Sequence, residues 1–370
     1  MDKSSYGRTV FLLGADASCH TGAPLLADFL VQARRLCGRG GLTYQSEFEK
    51  AFAWIDHLRS SAYYIDLDLS NIEHVFSMAA LAQETGDPKG EEILDALRKI
   101  IWETLDKSIE VTKEGLYTVP DPPYEAFCRS ITGGKTNSRA PSLDHAVITM
   151  NYDVVLDDAM QHLGIPVSYG LSSEKYPTGF PVLKLHGSHN WAFCTQCSKG
   201  AKRIVHVVPP SPLPPGHAYV DQSSGLRVSY PMVTQTLAKT KCPICSTAGT
   251  LSPAVIPPTW SKMPTQYGFD QVWRKAIDVI SNASQLVIIG YSMPPTDTFI
   301  SYLLALGLLE RATLSRVVVV NPDERAEERY KEVFSRGVHG RGQLRFVKKT
   351  FQGFLVVDHE GLHLGNILER

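Results

Sequence analysis

Three groups of residues in this chain have the types and spacing to do chemistry. The first is Asn151 and Asp153, a carboxamide and a carboxylate just past the β-branched, apolar run Ala146-Val147-Ile148-Thr149-Met150. Such a run is the mark of a buried strand. In open parallel α/β sheets, ligands sit in the crevice beyond the carboxyl ends of the strands. A second short strand, residues 181–185, ends in His186-Gly187-Ser188. A carboxamide, a carboxylate and an imidazole at neighbouring strand ends can position a sugar hydroxyl or a water and take its proton. His189 is a rival to His186, and Trp191 is expected to pack beneath the loop.

The second group is two C-x-x-C pairs, Cys194 with Cys197 and Cys242 with Cys245. A turn that places two thiolates on one ion, used twice, fills a tetrahedral zinc site with no open position, so the implied metal is structural. The stretch between the pairs is longer than in a compact zinc ribbon and rich in Pro, Gly and Ser, which suggests an irregular β-rich module. Two coincidental pairs, or a redox dithiol, is the bland alternative.

The third group is Gly14-Ala15-Asp16-Ala17-Ser18, after a strand at residues 9–13. Small residues there let backbone N–H groups approach a phosphate. Asp16 stands in place of a second glycine, and Gly22 comes late for a third. A tight turn without a ligand remains open.

These residues must be placed by a frame, and the frame reads as α/β. Strands are expected at residues 9–13, 146–150, 181–185, 285–289, 316–320 and 344–348, most ending in glycine or small polar residues. Between the first two, helical spacing of apolar residues marks 25–37, 46–58, 72–83 and 91–108. Ser70-Asn71-Ile72-Glu73 reads as a capping box. Such a block is too long for one sheet crossover, so residues 25–142 are expected to form a helical insertion, serving packing and an oligomer face or a lid. Residues 133–142 read as a flexible return. Further helices are expected at 154–163, 269–282 and 298–309, the last capped by Asp297. The expected division is 1–24, 143–192 and 252–370 for the sheet domain, 25–142 for the insertion and 193–251 for the zinc module.

Composition bounds the function. The chain has 370 residues, 43% hydrophobic and 20% charged, with a formal net charge of −1. No global field steers it onto nucleic acid or an anionic membrane. Residues 1–8 are polar and lack a signal-peptide core, and no apolar run is long enough to span a membrane. A cytoplasmic protein is expected, and seven cysteines, an odd number, argue against a disulfide framework.

In order along the chain, Gly14-Ala15-Asp16-Ala17-Ser18 with Gly22 and Pro24, Thr149-Met150-Asn151-Tyr152-Asp153, Lys184-Leu185-His186-Gly187, the paired C-x-x-C elements, Gly290-Tyr291-Ser292 and Asn321 resemble the sirtuin-like superfamily of NAD-binding proteins. The resemblance implies a Rossmann-like, doubly wound parallel sheet with NAD across its strand ends, a large helical insertion and a small zinc-binding lobe. It implies Ala15 and Ser18 lining the phosphate turn, Gly290, Ser292 and Asn321 around the adenosine half, Gly14, Thr149 and Tyr291 also among the NAD-binding residues, and a structural zinc on the four cysteines. Asn151 would hold the nicotinamide ribose and a water, Asp153 would lie by the nicotinamide, and His186 would be the general base. The chain departs from the deacylases in lacking an arginine after Gly22-Ala23-Pro24. With Pro257-Pro258-Thr259-Trp260, the insertion makes it more similar to the bacterial antiviral-defence NAD hydrolases. That branch implies homo-oligomers, or partners such as an Argonaute-type protein or a HerA-like ATPase. An NAD-dependent deacylase and a non-catalytic NAD or ADP-ribose sensor are the alternatives.

Overall fold

The computed structural model describes residues 8–61, 67–114, 117–133, 145–171, 178–197, 204–207, 227–229, 239–256, 268–295, 297–309, 314–334, 341–356 and 364–368. The expected flexible return, beyond residue 133, and Pro257 to Trp260 lie outside them.

In chain order, β1 (Arg8–Leu13) leads through two 3-10 turns to α1 (Phe29–Arg39), α2 (Gln45–Ser61), α3 (Ile72–Glu84) and α4 (Gly90–Ser108). A hairpin, β2 (Glu110–Glu114) and β3 (Tyr117–Val119), precedes α5 (Pro122–Thr132). Then come β4 (His145–Thr149), α6 (Val155–His162), β5 (Val167–Ser168), β6 (Phe180–Lys184) and β7 (Gly187–Cys194). Three short strands follow, β8 (Ile204–Val207), β9 (Arg227–Ser229) and β10 (Leu251–Val255). The rest is α7 (Asp270–Ser281), β11 (Ala283–Ile289), α8 (Thr298–Leu308), β12 (Arg316–Val320), α9 (Arg325–Val333), β13 (Leu344–Val347), α10 (Phe351–Leu355) and α11 (Leu364–Leu368).

These elements form two compact units. The first comprises Met1–His20, Pro120–His186 and Phe269–Arg370, the second Thr21–Val119 and Gly187–Gly268. This division places the helical insertion and the cysteine-bearing segment in one unit and α5 in the sheet unit.

In the first unit, seven parallel strands lie in the order β13-β12-β11-β1-β4-β6-β5. Their continuous apolar runs follow from burial on both faces: Val10 to Leu13, Ala146 to Ile148 and Val317 to Val320 are at most 1% exposed. From β1 the chain steps outward through β4 to β6, then returns to β1's other side for β11, β12 and β13. The order therefore reverses between β1 and β11, and that is where a doubly wound sheet opens its crevice.

In the second unit, α4 is the centre. Ile93, Leu97, Ile100, Ile101 and Leu105, at three- and four-residue spacing, are all buried, and so are Trp102, Glu103 and Asp106. Glu103 tolerates burial because its carboxylate accepts the Thr43 and Tyr44 backbone N–H groups, at 2.6 and 2.9 Å, just before α2. The Trp102 indole donates to the His189 carbonyl. Strands β10, β7 and β8 form one antiparallel sheet, and β3, β2 and β9 another.

Four local expectations change. Helix α3 is capped by Asn71, whose side chain accepts from Glu73 N at 2.8 Å, not by Ser70, whose hydroxyl binds Asp68 instead. Asp297 sits at the N-cap of α8, but its carboxylate accepts from Tyr291 OH at 2.8 Å rather than from a helix N–H. The segment after the second cysteine pair, where no strand is expected from the sequence, contains β10. Gly187-Ser188 is not an open loop: β7 starts at Gly187 and carries His189 and Trp191, both buried. Among the described residues no helix is long and apolar enough to cross a membrane.

Candidate functional site at the strand ends

Two turns interlock where the strand order reverses. Past β1, Gly14 N–H donates to Ile289 O at 2.9 Å and Asp16 N–H to Gly290 O at 3.1 Å. A Cβ on Gly14 would lie 2.5 Å from Gly290 O, and a Cβ on Gly290, whose φ is +66°, would lie 2.6 Å from Ala17 N. Only glycine permits both the approach and the left-handed backbone. Ala15 is exposed at the tip, while Ser18 is buried behind it.

The end of β4 carries Asn151. Thr149 Oγ1 donates to Leu13 O at 3.2 Å and accepts Asn151 N–H at 3.0 Å, tying the turn to β1. The Asn151 side-chain nitrogen donates to Gly14 O at 3.0 Å and to Ser18 Oγ at 3.1 Å. A backbone carbonyl can only accept, so the amide nitrogen must face Gly14. Asn151 is half-buried.

His186 ends the neighbouring strand. Thr149 pairs with Lys184, so Asn151 and His186 each stand two residues beyond one rung of the ladder. Leu185 N–H donates to Thr149 O at 2.9 Å, and the His186 ring lies 6.2 Å from that of Tyr152, centroid to centroid. His186 is 7% exposed.

Asp153 is buried, and its carboxylate accepts the N–H of Val155, the first residue of α6, at 3.1 Å. Against it lies a buried charge not expected at the site. Lys184, 1% exposed, donates to Asp153 O and reaches the Asp157 carboxylate at 3.0 Å. Tyr169 OH donates to the other Asp157 oxygen at 2.6 Å. A lysine inside an apolar strand was the available signal, since a buried ammonium needs a partner.

Across the switch point, Tyr291 and Asn321 bind each other. Asn321 Nδ2 donates to Tyr291 O at 3.3 Å and its Oδ1 accepts Asp323 N–H at 2.8 Å. Tyr330 OH donates to the same Tyr291 carbonyl at 2.7 Å, and Arg329 Nε to Ser292 O at 2.8 Å. The Asn321 nitrogen thus ties the β11 turn to the end of β12, while its oxygen closes a local turn with Asp323.

Asp16 and Tyr124 are among the titrating groups shifted upward here. Burial raises the Asp16 carboxyl, opposed by His20. Tyr124, on α5, is pushed well above its ordinary value by burial and then by the Asp153 charge, so its phenol stays protonated. Its hydroxyl is 2.8 Å from Ser18 Oγ. Nothing in the sequence marks Tyr124 as a site residue, although Asp121-Pro122-Pro123 is a helix-start signal.

The four cysteines converge within the second unit. Their sulfurs all lie within 4.8 Å of one another, with Cys194–Cys245 at 3.7 Å and Cys197–Cys242 at 3.8 Å. Zn–S bonds of ~2.3 Å in a tetrahedron require sulfurs about 3.8 Å apart, so the set fits zinc. Antiparallel pairing sets it up: Leu251 of β10 lies opposite Cys194 of β7. The Cys194 and Cys242 sulfurs accept the Cys197 and Ile244 N–H groups, both at 3.4 Å, as thiolates prefer. A Thr247 hydrogen bond draws the Cys245 thiol down to about 6.

The structure therefore brings Gly14, Ser18, Thr149 and Asn151 into direct contact and sets His186 on the adjacent strand end. Gly290 meets the Gly14 turn, whereas Tyr291 and Asn321 are engaged with each other.

No family model and no curated protein sequence matches the chain. Among solved structures it is similar to a Sir2 homolog–NAD complex at 15% identity, with 98% of this chain and 88% of that one covered and a TM-score of 0.43. A mutant Sir2 homologue bound to 2'-O-acetyl ADP-ribose is 14% identical, covering 100% and 96%, TM-score 0.43. Sir2 in complex with the inhibitor EX-527, 2'-O-acetyl-ADP-ribose and a deacetylated p53 peptide is 15% identical, covering 94% and 90%, TM-score 0.38. Similarity at that level assigns no activity to the chain.

Proposed function

We propose that the chain is an enzyme that takes NAD+ across its strand ends and cleaves the nicotinamide–ribose bond, releasing nicotinamide and ADP-ribose. One observation carries this reading. Asn151, half-buried past the carboxyl end of β4 and one strand from His186, spends its amide nitrogen on Gly14 and Ser18, which leaves its oxygen as the group to meet a ligand. In this reading that oxygen accepts from a ribose hydroxyl or from the attacking water. Loss of neutral nicotinamide leaves an oxocarbenium-like sugar, which a fixed dipole and the Asp153 carboxylate stabilise. His186 takes the proton of the water as it adds to the ribose carbon, a role typically contributing ~10²–10⁴-fold. The pyrophosphate would lie against the Gly14-Ala15-Asp16 turn.

A second reading, an NAD-dependent protein deacylase, is favoured by the complete four-cysteine site. Incubating the pure chain with NAD+ alone, and then with an acetyl-lysine peptide, separates the two. Release of nicotinamide without peptide supports the hydrolase, and strict dependence on peptide supports the deacylase. A sensor of NAD or ADP-ribose would bind ligand, turn over nothing, and keep its affinity in His186→Ala. A cytoplasmic role in antiviral defence by NAD depletion, gated by self-assembly or by a HerA-like or Argonaute-type partner, follows from the sequence resemblance alone.

A further inference from the structure

We infer that Tyr124 and Ser18 are positioning residues that lock the Asn151 carboxamide, so that Asn151 meets its ligand only as a hydrogen-bond acceptor. The inference rests on the reading that Asn151 faces the ligand. Gly14 O takes one amide proton of Asn151 and Ser18 Oγ takes the other. The same Ser18 oxygen lies 2.8 Å from Tyr124 OH. Tyr124 is 1% exposed, and a buried phenol proton without an acceptor is costly. The chain of bonds therefore runs inward from both ends: Tyr124 donates to Ser18, Asn151 donates to Ser18, and both lone pairs of the serine are used.

The phenol is held by a helix rather than by a loop. Asp121 caps α5 by accepting Tyr124 N–H at 3.1 Å, and the same carboxylate oxygen is 2.9 Å from His20 Nε2. The Tyr124 ring stacks on His20 at 6.1 Å and packs against Phe351 at 4.9 Å. With both amide protons committed, the group facing Asn151 must itself be a donor, such as a ribose hydroxyl or a bound water. A phosphate or carbonyl oxygen would be repelled there.

The test uses the full chain labelled with ¹⁵N-asparagine, the Asn151 side-chain amide signal being identified by its absence in Asn151→Ala. Hydrogen exchange of that amide is expected to speed up about tenfold in Tyr124→Phe and in Ser18→Ala, the factor for one lost buried hydrogen bond. Melting temperatures check that both variants fold. In nicotinamide release, Tyr124→Phe is expected to lower kcat about tenfold with KM little changed, and to add no further loss in the Asn151→Ala background. Unchanged exchange in both variants, or the same loss of kcat in both backgrounds, overturns the inference. If the chain releases no nicotinamide, the hydrolase reading falls while the exchange rates still decide the positioning.

Discussion

The four-cysteine cluster of the second unit and the strand-end cluster of the first both gather polar side chains, but they leave different things unsatisfied. Around the cysteines every ligand atom points inward. Four sulfurs within 4.8 Å of one another close a tetrahedron, and no position is left for a substrate. At the strand ends the donors are the groups consumed. Thr149, Asn151 and Tyr124 spend their protons on Leu13 O, Gly14 O and Ser18, which leaves the Asn151 oxygen as the uncommitted half of its carboxamide. A closed set stabilises a fold; a set rigid on one side and open on the other can do chemistry.

That contrast can be broken from either side. The largest effect belongs to the closed set. Cys194→Ser should remove the metal, about one zinc per chain by elemental analysis, and with it binding energy of the order of ~10–16 kcal/mol seen for structural zinc. The second unit should then unfold or aggregate; a variant that melts like the wild type would refute a structural metal. Next is Lys184→Met, which strands the buried Asp157 carboxylate and should cost about 3–5 kcal/mol, read by denaturant unfolding. An unchanged midpoint would mean the pair contributes nothing. Gly290→Ala forces a side chain into a left-handed backbone against Ala17 N, and a loss of about 1–3 kcal/mol is expected, with NAD affinity falling alongside.

The smallest effect is that of Asp16. Burial raises its carboxyl, so the folded chain holds the proton at pH values where the unfolded chain has released it. The charged form therefore costs stability above the raised folded pKa, and the cost disappears below the ordinary value near ~3.9. Asp16→Asn should melt slightly higher at pH 7, with the difference closing as pH falls toward about 4. It should also lower KM for NAD, because a carboxylate beside the phosphate turn repels its ligand. A gap that widens in acid would contradict the direction of the shift.

The two regions were not equally legible in the sequence. The cysteines could be read because both pairs are local and their spacing already states the geometry. The strands β1, β4, β6, β11 and β12 could be read because burial in a parallel sheet requires unbroken apolar runs. The positions of Asn151 and His186 followed from those strand ends. Pairing between distant segments was invisible: β2 and β3 are short and polar, and β2 finds β9 across more than a hundred residues. Tyr124 was missed for the same reason, since nothing near it in sequence announces a bond to Ser18 on the opposite side of a long excursion. The setting of Asn321 was hidden for a different reason, because a carboxamide that could meet a ligand can equally hold backbone, and here its nitrogen donates to the Tyr291 carbonyl.

A time course of nicotinamide release from NAD+ alone, for the wild type and Asn151→Ala, bears most directly on the strand-end site. Release by the wild type and a fall of ~10²–10³-fold in the variant at unchanged melting temperature is the predicted result, the size expected for losing one preorganised polar group. A variant that consumes NAD+ as fast as the wild type would contradict it.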